Sequence, residues 1–186
     1  LLRRHCDRLM VIDDLADRQH DCDLLLDQNF FANSESRYEG RISPAVTCLL
    51  GPRYAVLQNE YSKAHQKARF RCGPISRVLV YFGAADNKNV TQRAIAALVD
   101  EVEESTQIDV VVDPQNQFLR EISALLSESR NAELFIGAPS LCPLMLKADL
   151  ALGAAGTTSW ERCAVGLPAL VISIADNQRE VAKELH

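Results

Sequence analysis

The stretch GAAGTTSWERCAVGLPALVISIADNQ, residues 153–178, decides the fold. It reads as a strand end, a tight turn, a helix, a second strand and a loop. The run Asp149-Leu150-Ala151-Leu152 enters Gly153-Ala154-Ala155-Gly156, and Thr157, Thr158 and Ser159 then open the helix. A helix start presents unpaired backbone N–H groups and the positive end of the peptide dipole. With hydroxyls and small residues beside it, such a start suits a phosphate or diphosphate. The same letters also have a purely local reading. Thr158-Ser159-Trp160-Glu161 fits a capping box, in which the carboxylate only reaches back to its own helix start. Gly166 and Pro168 supply an ordinary helix stop. Local pattern leaves both readings open.

Outward from this stretch the chain alternates strand and helix from Arg77 onward. Residues 77–82 form an apolar strand entering Gly83-Ala84-Ala85-Asp86. Asn89 and Gln92 bracket a second capping box ahead of a stripe of Ala94, Ile95, Leu98 and Val102. Strand 109–112 runs into Asp113-Pro114, read as a cap and first-turn pair, and Phe118, Ile122, Leu125 and Leu126 share one helical face. Strand 134–136, helix 141–147, strand 149–152, the Trp160 helix, strand 169–172 and a last helix from about Gln178 complete the series. Alternation of this kind predicts a parallel sheet with helices on both faces and right-handed crossovers. Ligands then sit at the carboxyl ends of the strands, where residues 83–86, 136–139, 153–159 and 173–178 should gather.

The segment before Arg77 reads differently. Strands are expected at 9–12, entering Asp13-Asp14, and at 24–26, followed by a polar stretch over 33–41 and a charged helix near Glu60. This is too little to close a sheet of its own. It reads as the remnant of an earlier domain, residues 1–72, with the linker in the polar stretch 66–76 and a second domain over 77–186. The start at Leu1 marks the chain as a fragment in this reading, with its end also truncated.

Composition narrows the function classes. The chain has 186 residues, 47% hydrophobic and 24% charged, with net charge −5. A mildly acidic surface with small, acid-flanked basic spots argues against nucleic acid, which needs clustered Lys and Arg. Six cysteines are scattered without a CxxC pair or matching His spacing, so zinc is not expected, and reduced thiols suit a cytoplasmic protein. No apolar run reaches the roughly 20 residues of a membrane span. Asp13-Asp14 reads as an exposed turn rather than a magnesium site. Neither metal nor cofactor is expected, and the protein reads as a monomer.

At VIDDLADRQHDCDLLLDQN (11–29), LLGPRYAVL (49–57), FGAADNKNVT (82–91) and GAAGTTSWERCAVGLP (153–168) the chain resembles a known family. It is similar to the UDP-2,4-diacetamido-2,4,6-trideoxy-β-L-altropyranose hydrolases of bacterial pseudaminic acid biosynthesis, over nearly its full length. The resemblance implies a GT-B-like α/β fold, with a Rossmann-type parallel second domain that holds UDP and part of a Rossmann-like first domain. The implied reaction is attack of water on the anomeric carbon of a UDP-sugar. The resemblance assigns the diphosphate to Gly156, Thr157, Thr158 and Ser159, and the ribose hydroxyls to Glu161. Asn177 and Gln178 would close on the phosphate or sugar side, and the uracil would meet backbone near Ile136. A ribose contact and a capping box at Glu161 are compatible, one carboxylate oxygen for each.

The family's catalytic base is a His in a glycine-rich loop near the start of its first domain, so that base is expected upstream of this chain. His20, in the matching Asp-Arg-x-His stretch, reads as fixing the loop between two strands. His5, His65 and His186 carry no motif. Where the family has Gly, this chain has Ala84, Ala155 and Asp113. An Ala forced to positive φ costs on the order of 1 kcal/mol, so the backbone at Ala155 decides whether the change matters. Asp113 would place negative charge near the anion site. A glycosyltransferase sharing the UDP pocket and a non-catalytic UDP-sugar-binding module are the other readings the sequence allows.

Overall fold

Short apolar runs separated by polar turns become two parallel sheets in the computed structural model, which describes residues 2–84 and 86–185. Leu1, Ala85 and His186, including that part of the expected 83–86 loop and one of the four histidines, lie outside the described residues. The chain divides into two compact units, Leu1–Val56 with Arg179–His186, and Leu57–Gln178.

In the first unit, β1 (Met10–Ile12), β2 (Leu24–Asp27) and β3 (Thr47–Leu50) form a parallel sheet in the order β1-β2-β3. Met10 pairs with Leu24, and Leu24 with Thr47. This corrects the expectation that the segment holds too little to close a sheet. β3 escaped notice because four residues that are only half covered carry no clear period. Ala16, Cys22, Leu25 and Tyr38 form a small core of their own. Asp13, just past β1, accepts the Ala16 N–H at 2.8 Å, and the Tyr38 hydroxyl lies 3.1 Å from both Asp13 and Asp27. His20 sits on the β1–β2 connection, its backbone N–H donating to Arg41 O and its Nε2 3.4 Å from the Asp13 carboxylate.

The second unit begins with α1 (Asn59–His65), and the boundary therefore falls ahead of this helix. β4 (Arg77–Tyr81), α2 (Val90–Glu101), β5 (Gln107–Val112), α3 (Leu119–Ser127), β6 (Ala132–Ile136), α4 (Cys142–Lys147), β7 (Leu150–Ala154), α5 (Thr158–Ala164) and β8 (Ala169–Ile172) follow. The last helix, α6 (Gln178–Glu184), starts at the end of this unit. All strand pairs are parallel, in the order β6-β5-β4-β7-β8. Both faces of the central strands are buried, which is why they read as continuous apolar runs rather than alternating ones. Val78, Val80, Val110 and Val112 pack beneath Ala94 and Ile95 of α2 and Ile122 and Leu126 of α3. Leu79, Val111 and Ala151 face the other way, onto Tyr61 of α1, Met145 of α4 and Val165 beyond α5.

Two expected helix starts need correction, and a third, open between two readings, is narrowed. No Asn89–Gln92 capping box forms, because Asn89 adopts φ +51 and its amide turns to the Gln92 side chain. Asp86 caps α2 instead, its carboxylate accepting the Val90 and Thr91 N–H groups at 2.8 Å each. Asp113 does not open α3. It accepts the Gln115 N–H in a local turn, Asn116 accepts that of Phe118, and the helix starts only at Leu119. No side-chain cap bond is present at the start of α5 either, so Glu161 is not spent on a capping box.

The segment between α1 and β4, read from sequence as a linker, is tied to the second unit. Asp149 accepts the Ser76 and Arg77 N–H groups at 3.0 Å, the Ser76 hydroxyl at 2.7 Å and Arg69 at 2.6 Å. The Ser76 hydroxyl and Arg69 overcome partial burial and hold this carboxyl well below its usual range. A depressed folded pKa gives stability that is complete above the unfolded pKa of about 3.9 and is lost as pH falls through the folded value. Asp149→Asn should therefore lower stability at neutral pH and flatten the loss of stability below about pH 4. Urea midpoints measured across that range for both proteins check this.

Candidate functional site

The chain order within the second sheet fixes where a ligand can sit. From β4 the chain steps through β5 and β6 on one side, then returns to place β7 on the other side of β4. The two connections leave the sheet in opposite directions at β4 and β7. The carboxyl ends of these two strands are therefore the switch point, the position at which open α/β sheets bind ligands. The chain leaves β4 through Gly83, at φ +86, and leaves β7 through the turn into α5.

That turn is built on close packing. A Cβ at Gly153 would stand 2.6 Å from Tyr81 O and 2.8 Å from Arg162 Nη1, so only glycine fits between β4 and the helix that follows. Ala154 and Ala155 are buried, and Ala155 is not among the residues with positive φ, so an alanine there carries no backbone strain. Gly156 is half-buried, with only the Gln178 amide within 4 Å of the place a Cβ would occupy. The first turn of α5 closes with Ser159 N–H donating to Gly156 O and Trp160 N–H to Thr157 O. Thr157 is exposed and Thr158 half-exposed, while Ser159 is buried and its hydroxyl accepts from Arg162.

Gln178 lies beside the turn. Its side-chain oxygen accepts the Ile174 N–H at 3.0 Å, which holds the loop after β8, and its amide nitrogen is the group nearest Gly156. Asn177 is exposed on the same loop. One turn into α5, Glu161 is half-buried, and burial pushes its carboxyl above the usual range against the opposing effect of the Tyr61 hydroxyl beside it. The charges of Glu161 and Asp113 also reach Tyr81 at the end of β4, adding to the rise in its pKa that burial causes. Glu161 thus belongs to the face of the sheet that carries α1, α4 and α5.

Ile136 ends β6 and is 54% exposed. It stands three strand spacings from β7, roughly 14 Å at the backbone. The next residue, Gly137, takes φ +68, donates to Val112 O and packs so closely that a Cβ would meet Pro114 at 2.8 Å. A small cleft of about 60 Å³ opens here between Tyr81, Asp113, Gly137, Ala138 and Leu141. The fold therefore groups Gly156, Thr157, Thr158, Ser159 and Gln178 at one end of the edge and Ile136 at the other. Sequence reasoning missed Arg162, Tyr61 and Tyr81. Of these only Arg162 left a signal, its i+3 spacing from Ser159 on one helix.

Among the described residues no cluster of three or more His, Cys, Asp or Glu is arranged to hold a metal, and no helix is long and apolar enough to cross a membrane. No family model matches the chain. It is 28% identical over 135 residues to the uncharacterised protein MJ1062 of Methanocaldococcus jannaschii, an alignment covering 70% of this chain and 28% of that protein. Among solved structures, MurG of Acinetobacter baumannii superposes with a TM-score of 0.55 at 14% identity, covering 99% of this chain and 52% of that one. WaaG, a glycosyltransferase involved in lipopolysaccharide biosynthesis, superposes with a TM-score of 0.51 at 16% identity, covering 98% of this chain and 64% of that one. The chain thus spans less than two thirds of each of these three proteins. At these identities the likeness establishes the fold, an α/β fold of the GT-B glycosyltransferase type with parallel sheets and helices on both faces.

Proposed function

We propose that this chain carries the nucleotide-binding half of a UDP-sugar enzyme, with UDP along the carboxyl edge of the second sheet. In this reading the diphosphate meets Gly156, Thr157, Thr158 and Ser159, and the ribose hydroxyls donate to Glu161. Asn177 and Gln178 stand on the phosphate or sugar side, and the uracil meets backbone near Ile136. One observation carries the reading. The small-residue turn into α5 lies at the topological switch point of a GT-B-type sheet, with a half-buried carboxylate one turn further on. Backbone N–H groups and hydroxyls stabilise the charge that develops on a departing diphosphate.

The family motifs at 11–29, 49–57, 82–91 and 153–168 support a finer reading, hydrolysis of a UDP-linked diacetamido-trideoxy sugar in pseudaminic acid biosynthesis. Water adds its oxygen to the anomeric carbon and gives up a proton, the bond from that carbon to the diphosphate oxygen breaks, and UDP leaves with the electron pair. The protein would act as a cytoplasmic monomer. Likeness to WaaG favours a second reading, transfer of the sugar to an acceptor from the same UDP pocket. Release of free sugar from the UDP-sugar without any acceptor supports the first reading, and turnover only when an acceptor is added supports the second.

Glu161 provides the direct test of the pocket. Glu161→Ala should weaken UDP binding by about 1–3 kcal/mol, the scale of a hydrogen bond to a charged group. Burial disfavours the ionised form, so Glu161→Gln should not lower stability at neutral pH while still weakening UDP. Calorimetric titration beside urea unfolding reads both quantities. Unchanged UDP affinity in a folded Glu161→Ala protein would remove Glu161 from the site.

A further inference from the structure

Behind the turn lies a buried cation that the proposed site does not itself use. Arg162 is 3% exposed, and its Nη2 donates to Ala154 O at 2.8 Å and to the Ser159 hydroxyl at 2.9 Å. Ala154 is the last residue of β7 and Ser159 lies in the first turn of α5, so one guanidinium nitrogen spans the whole connection. Nη1 runs through the space that the missing Gly153 side chain leaves open. Both acceptors of Nη2 are neutral, and burial weighs against the charged form of the group. A guanidinium nevertheless keeps its proton inside a protein. The fold therefore keeps a full charge out of water directly behind the turn.

We propose that Arg162 is the positioning residue of the anion turn, clamping the end of β7 to the first turn of α5 so that residues 155–158 keep the conformation a diphosphate meets. This rests on the nucleotide reading above. Gly153 and Arg162 then form one device, the glycine making room for the guanidinium that holds the turn. A lysine is a poor replacement, because its compact, strongly hydrated ammonium is costlier to bury than a guanidinium. The hydroxyl of Ser159 acts as the anchor of the clamp.

UDP and uridine titrations of the wild type, Ser159→Ala, Arg162→Gln and the double variant test this. Arg162→Gln should raise the UDP dissociation constant roughly tenfold or more, the loss expected when a charge-assisted hydrogen bond is removed. Uridine, which lacks the diphosphate, should bind each protein alike. Because one clamp is being broken, the double variant should bind UDP little worse than Arg162→Gln alone. Additive losses, or UDP affinities that stay at the wild-type value while only the unfolding midpoint drops, would overturn the role. If Arg162→Gln does not fold, Arg162→Lys takes its place, since it changes the clamp, leaves the Ser159 hydroxyl untouched and should weaken UDP but not uridine. A wild type that binds no UDP would remove the nucleotide reading and this role together. Wild-type binding that both variants leave intact would remove the role alone.

Discussion

Gly153→Ala should destabilise the second unit by about 3 kcal/mol, near the upper end of what overpacking does. The methyl group would fall 2.6 Å from Tyr81 O and 2.8 Å from Arg162 Nη1. Relief cannot come from a side-chain rotation on the first of these, because the Tyr81 carbonyl belongs to β4, whose register with β7 pairs Tyr81 with Gly153 directly. Relief on the second would push Arg162 off Ala154 O and Ser159, exposing two buried acceptors. Gly156→Ala is the matched control, three residues away. A Cβ there meets only the Gln178 amide at 3.7 Å, and Gly156 is not among the glycines with positive φ. Its stability should stay within about 0.5 kcal/mol of wild type. The single tryptophan, Trp160, is buried in α5 and reports the unfolding of this region by fluorescence. Equal midpoints for the two alanine variants would show that the close approach of β7 and β4 is not what the glycine serves.

Arg71→Ala should lower stability by about 2–4 kcal/mol, a large effect for a residue in what the sequence presents as a linker. Its guanidinium donates to Met145 O at 2.9 Å and Ala148 O at 2.8 Å, at the end of α4. It also donates to Val165 O at 2.8 Å and Gly166 O at 2.7 Å, at the end of α5. The last carbonyls of a helix have no partner within the helix, and a cation among them also meets the negative end of each dipole. One side chain thus caps two helices and holds the chain ahead of β4 against them. Arg71→Lys should recover only a small part, because an ammonium cannot reach four carbonyls arranged around a planar fork. Urea unfolding followed by helix signal measures the change. A loss below about 0.5 kcal/mol would mean that water replaces Arg71 at both helix ends.

The sheet of the second unit was legible because its strands are buried on both faces, so runs such as Arg77-Val78-Leu79-Val80-Tyr81 stand out between polar turns. Helix starts were less legible. At α2 the capping carboxylate stands four residues ahead of the first helical N–H it serves, outside the spacing that a capping box uses. At α3 the Asp113-Pro114 pair makes a turn first, and nothing local separates that turn from a helix start. β3 carries too little contrast between covered and uncovered residues to be seen in isolation. The turn at Gly153 was legible in full, since strand, small residues, hydroxyls and helix lie consecutively. Tyr61 and Arg71 were not, because each acts on α4 and α5 from some 70–100 residues earlier in the chain, as the Tyr61–Met145 contact and the Arg71 bonds show. Arg162 was hidden differently: at the surface of a short amphipathic helix an arginine is unremarked, and only the packing reveals that it points inward.

The most direct test of the central claim, that the carboxyl edge between β4 and β7 is a UDP site, is to titrate UDP into the ¹⁵N-labelled chain and map the amide shifts. Saturable changes are expected at Gly156, Thr157, Thr158, Ser159 and Gln178, with a second group around Ile136 and Gly137 that uridine alone also produces. A folded chain whose amides at these positions do not move at millimolar UDP would contradict the claim.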